Sequence, residues 1–123
     1  MTFAFWCVLV AAILPYVPLG LSSRFLDPKT PRKSVQNLEG IAARAYAAHL
    51  NGFENFPPFA AAVIMSHVIE GPSTLVNWLA LIFILARVAH IAAYLADRQP
   101  PRSAAWFVGL LAMIAIFVQN AFH

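Results

Sequence analysis

The stretch Arg44–Phe59, RAYAAHLNGFENFPPF, places Arg44, His49, Asn51, Glu54 and Asn55 at the head of an apolar run that continues through Ala60–Met65. Read as part of a membrane-spanning helix, it puts ionisable and amide groups where hydrocarbon would solvate them poorly. Such residues are rare in bilayers, face a bundle interior or a ligand cavity, and mark a functional site by default. At about 100° per residue, Arg44, Asn51 and Asn55 share one stripe, with Ala47, Ala48, Glu54 and Pro58 beside them. His49 falls on the opposite side, and Pro57 and Pro58 are expected to kink the helix just past Glu54.

The rest of the chain fits a membrane reading. Of its 123 residues 61% are hydrophobic and 11% charged, against roughly 45–50% and about 25% in soluble domains. Four runs, at about 3–21, 41–69, 75–96 and 104–122, each approach the roughly 20 residues needed to cross the hydrocarbon core. The expected fold is all-α: one integral membrane domain, an antiparallel four-helix bundle spanning residues 1–123. The N-terminal run lacks a basic flank and is broken by Pro15 and Pro18, so it reads as an uncleaved first helix. Cys7 has no cysteine partner and reads as a small apolar residue, and no metal site is expected.

The net charge of +3 does not point to nucleic acid, because the cations sit in two short loops and not on an amphipathic face. Arg24, Lys29, Arg32 and Lys33 follow the first run, and Arg98 and Arg102 the third. The positive-inside rule then places loops 22–38 and 97–103 in the cytoplasm and both termini outside. Contacts of the first loop with anionic lipid headgroups are a secondary expectation. His67 and Glu70 fall near the outer interface, where solvation accounts for them.

In the third run Arg87, His90 and Tyr94 occupy positions i, i+3 and i+7 of one helical face. Arg87 lies roughly 13 Å from the cytoplasmic end of its helix, and Asn51 and Glu54 about 15–20 Å from the start of theirs. The stripes meet in the cytoplasmic half of the membrane, and an Arg87–Glu54 ion pair is expected, since each charge alone would be costly there. Polar residues do not continue into the outer half of any helix, which argues against a proton or ion pathway.

The patterns RAYAAHLNGFENFPPF and RVAHIAAYL followed by RQPPRSAAWFVG resemble the MAPEG superfamily of membrane proteins of eicosanoid and glutathione metabolism, and within it most closely the microsomal glutathione transferases. The resemblance extends from about Arg44 to Gly109. It implies a homotrimer of four-helix bundles with glutathione, a co-substrate, bound between subunits near the cytosolic face. Carried over residue by residue, it makes Asn51, Glu54, Arg87 and Tyr94 glutathione ligands and His49 a motif histidine. Arg102 matches the arginine thought to stabilise the glutathione thiolate. Arg44 and Arg24 are further arginines within reach of such a site.

The implied activity is a glutathione-dependent transferase or peroxidase acting on a lipophilic electrophile or lipid hydroperoxide. The competing expectation is a non-catalytic protein of the same fold that binds membrane lipid or scaffolds partners. Arg102 discriminates between them: it points into a pocket in an enzyme and toward solvent or headgroups in a scaffold.

Overall fold

The computed structural model describes residues 1–122. Its helices are α1 (Phe3–Ile13), α2 (Tyr16–Ser22), α3 (Pro31–Ser34), α4 (Gly40–Glu70), α5 (Thr74–Leu95) and α6 (Gln99–Val118), with 3₁₀ turns at Ser23–Phe25, Val35–Asn37 and Gln119–Phe122. No strand occurs among the described residues. Three stretches, Phe3–Phe25, Thr74–Leu95 and Gln99–Phe122, are long and apolar enough to cross a membrane. The 31-residue α4 has the length but not the hydropathy, because its polar residues crowd its first half. It contacts α1, α2, α5 and α6, and α5 and α6 pack along each other.

The first run is one stretch in two pieces. α1 ends at Ile13 and α2 starts at Tyr16, so the break falls at Pro15, which has no N–H to continue the ladder. Pro57 and Pro58, by contrast, lie inside an unbroken α4. The polar loop after α2 is not wholly irregular, since it holds α3 and two 3₁₀ turns. The last helix starts at Gln99, earlier than the run of apolar residues suggests, because Pro100 and Pro101 occupy its first turn. Proline is tolerated there, where the N–H groups have no intrahelical acceptor.

Small side chains let the helices approach closely, as membrane bundles require. Ala4, Cys7 and Ala11 of α1, Ala62 and Val63 of α4, Ala80 of α5 and Ala112 of α6 join one buried cluster. At its centre the Phe59 and Phe83 rings stack at 3.9 Å, nearly parallel. Gly52 of α4 meets the ring of Pro15 so tightly that a Cβ there would stand 2.7 Å from Pro15 Cγ.

The helix-connecting turns fix the two ends. At the end carrying Met1, His67 is not simply solvated. Its Nδ1 donates to the Val63 carbonyl at 2.8 Å, its Nε2 pairs with the Thr2 hydroxyl at 2.7 Å, and its ring stacks on Phe5. Glu70 accepts from the Ser66 hydroxyl. Thr2 also caps α1, its Oγ1 accepting from the Phe5 N–H. Thr2→Val is therefore expected to cost about 1 kcal/mol, the usual worth of such a cap, read as a lowered Tm in detergent.

At the opposite end α5 turns into α6 through Ala96–Arg98. Asp97 has φ 57°, a left-handed conformation that Asp tolerates better than most residues. The Arg98 N–H bonds to the Ala93 carbonyl at 2.9 Å and the Asp97 N–H to the Tyr94 carbonyl at 3.1 Å. This is the Schellman arrangement that ends a helix sharply, and it brings the start of α6 back beside the end of α5.

Candidate functional site

The tight α5–α6 turn puts Arg102, in the early turns of α6, against Tyr94, in the last turn of α5. The guanidinium carbon lies 4.5 Å from the centre of the Tyr94 ring, within range of a cation–π contact. Together with Asn51, His90, Ser103 and Trp106 they line an open groove of about 240 Å³ at the basic-loop end of the bundle.

Behind that groove lies a polar cluster assembled from α4 and α5. Arg87 is 4% exposed and donates from Nη2 to Asn51 Oδ1 at 2.6 Å. Asn55 Nδ2 donates to the same Oδ1 at 3.2 Å and to the Asn51 carbonyl at 2.8 Å. With its oxygen engaged twice, the Asn51 amide is held in one orientation. The expected Arg87–Glu54 ion pair does not form among the described residues. Glu54 is exposed on α4, close enough for its charge to act on Arg87 but not in hydrogen-bond contact with it. An amide replaces the carboxylate as the direct partner.

Two side-chain nitrogens in this region are buried without partners. Arg87 Nη1 has no partner, nor has Nδ1 of His90, a residue only 3% exposed. Buried polar atoms in folded proteins are nearly always satisfied, so unpaired groups beside a groove mark a place where a ligand or water completes the bonding. The unpaired Arg87 nitrogen can only donate; the unpaired ring nitrogen of His90 donates or accepts according to tautomer.

The remaining predicted residues go elsewhere. Arg44 is not in the groove; its Nη2 donates to the Leu95 carbonyl at 3.3 Å and ties α4 to the end of α5, where a cation suits the helix dipole. His49 is buried on the far side of α4, as its helical phase predicts. Its Nδ1 donates to the Pro15 carbonyl at 2.8 Å, and its ring meets Tyr16, Tyr46 and Phe53. His49 thus braces the break between α1 and α2, and it faces a second groove of about 520 Å³ toward Arg32 and Leu26. Arg24 is exposed in the Ser23–Phe25 turn. His49→Leu is expected to lower stability by about 1 kcal/mol, the net worth of one hydrogen bond, whereas His49→Gln, which keeps an N–H donor, should recover part of it; thermal unfolding in detergent checks both.

Sequence reasoning named Asn51, Tyr94 and Arg102, which line the groove, and Arg87, which stands behind it. It left out His90, Ser103 and Trp106. For His90 the signal was present, since it shares the helical face of Arg87 and Tyr94. For Ser103 and Trp106 the signal appears once α6 starts at Gln99, which puts Arg102 and Ser103 on the same helix as Trp106.

No curated protein sequence matches the chain significantly. The family model described as MAPEG matches residues 3–122, nearly the whole chain; with its membrane-spanning helices, its bundle and the polar groove at one end, the chain belongs to the MAPEG family.

Proposed function

We propose that the chain is a membrane glutathione-dependent transferase or peroxidase acting on lipophilic electrophiles or lipid hydroperoxides. It works as a homotrimer, with loops 22–38 and 97–103 cytoplasmic and both termini outside. The observation that carries this reading is the placement of Arg102, whose guanidinium lies over the Tyr94 ring among the residues that line the groove. A scaffold has no use for a cation held there.

The donor set suits glutathione, which presents two carboxylates, an ammonium and a thiol. Arg102, Asn51 and His90, whose Nδ1 is buried without a partner, line the groove. The start of α6 adds the positive end of a helix dipole. Glu54, the natural partner for an ammonium, is exposed on α4, the situation expected of a residue that acts across a subunit interface. In this reading Arg102 lowers the energy of a thiolate relative to the thiol, as a fixed cation in a water-poor site does. Tyr94 holds the guanidinium in place, and Asn51, braced by Arg87 and Asn55, orients the peptide. Bound glutathione supplies a sulfur nucleophile that displaces a leaving group from an electrophile or reduces a peroxide O–O bond while itself being oxidised.

Equilibrium titration of the purified protein with glutathione, followed by thiolate absorbance, tests the proposal. The native protein is expected to bind and to gain the thiolate signal, and Arg102→Ala to bind without it. Absence of binding at millimolar glutathione sinks the enzyme reading. Binding to the native protein without a thiolate signal favours the non-catalytic member of the family that holds a ligand or scaffolds partners.

A further inference from the structure

Pro15 and Pro18 each lack the N–H that a helix directs to the carbonyl four residues earlier. Those carbonyls belong to Ala11 and Leu14. Leu14 recovers one donor, the Val17 N–H at 3.1 Å, and a carbonyl oxygen has capacity for two. Ala11 and Leu14 both line a small, partly open cleft with about 10 Å³ of room for water, which Gly52, Phe83 and Arg87 line as well. Arg87, almost wholly buried, has given one terminal nitrogen to Asn51 and keeps the other, Nη1, without a partner.

Size and chemistry select the occupant. The volume is that of roughly one water, near the lower limit of 10–15 Å³ for holding one. The lining residues carry a strong donor, the unpartnered Arg87 Nη1, and two carbonyls that the prolines deprive of their helical donors. An apolar atom would leave these groups unpaired, the Arg87 charge repels a cation, and a polyatomic anion is too large. A water accepting from Nη1 and donating to two carbonyls makes three hydrogen bonds, the usual number for a buried water.

We propose that this cavity is an ordered-water site, in which one molecule bridges Arg87 Nη1 to the carbonyls of Ala11 and Leu14. The water joins the proline break of the first membrane stretch to the Arg87–Asn51 pair behind the groove. The breaks made by the two prolines then supply acceptors for a buried arginine, and the site stands whether or not the groove binds a thiol.

The test uses the full chain labelled with ¹⁵N-arginine, in micelles or nanodiscs, with the Arg87 guanidinium resonance identified by its absence in Arg87→Lys. A direct cross-relaxation peak between water and the Arg87 Nη protons is expected. The peak should be lost in Pro15→Ala/Pro18→Ala, which returns N–H donors to both carbonyls. No water peak at Arg87 in the native protein overturns the proposal, as does a peak that persists unchanged in a folded double variant. Should that variant not fold, a high-resolution density map of the native protein decides. An ordered oxygen about 3 Å from Nη1 and from either carbonyl supports the site, and an empty cavity or a direct arginine–carbonyl bond overturns it.

Discussion

Arg102→Ala is expected to lower kcat/KM for glutathione conjugation by about 10²–10³-fold, the usual cost of removing one preorganised group that stabilises developing charge. The guanidinium is the cation that lines the groove, and it is already held against Tyr94. No reorganisation is needed when a thiolate forms beside it. Glutathione affinity should fall less, because Asn51 and His90 still line the groove. Arg102→Lys should recover only part of the rate, since an ammonium lacks the planar face that lies over the tyrosine ring. Steady-state kinetics with a lipophilic electrophile, paired with glutathione titrations, separates the effects. An unchanged kcat/KM in Arg102→Ala would remove this residue from the chemistry.

Gly52→Ala is expected to destabilise the fold by about 1–3 kcal/mol, the range for overpacking a tight contact. The added Cβ would stand 2.7 Å and 2.8 Å from Cγ and Cβ of Pro15. A proline ring cannot swing aside as a long side chain does, so the relief must come from moving the α1–α2 break away from α4. That movement would also strain the His49 bond to the Pro15 carbonyl. Gly20→Ala is the matched control: it too lies in a helix, and nothing stands within 4 Å of its added Cβ. It should leave Tm unchanged or raise it slightly, alanine being the better helix former. Equal melting temperatures for the two variants would mean that α2 does not bear on α4 at this point.

Much of this arrangement is legible in the sequence because helical phase is a strong constraint. The spacing of Asn51 and Asn55, and of Arg87, His90 and Tyr94, already puts each set on one face, and the structure joins the two faces through Arg87 and Asn51. The opposite phase of His49 was equally readable. Phase does not choose between neighbours on one stripe, however. Glu54 is the better electrostatic partner for Arg87, yet Asn51, one turn earlier, is the residue that α5 packs against. Hydropathy also misplaces the start of α6, because prolines and arginines look like loop while a first helical turn accepts both. His67 reads as solvated for a similar reason: its partner Thr2 is an ordinary hydroxyl whose meaning depends on which helix end lies beside it.

The Asp97 turn makes the groove sensitive to the length of the chain as well as to its residues. Tyr94 and Arg102 come from one short contiguous stretch, and their meeting depends on how many residues separate the two helices. One residue inserted between Ala96 and Arg98 would disrupt the two hydrogen bonds that end α5 and displace the start of α6, carrying Arg102 off the tyrosine ring with every side chain of the site still present. The long basic loop between α2 and α4 has no such arithmetic to keep. Insertions and deletions should therefore be absorbed there and selected against at the α5–α6 turn.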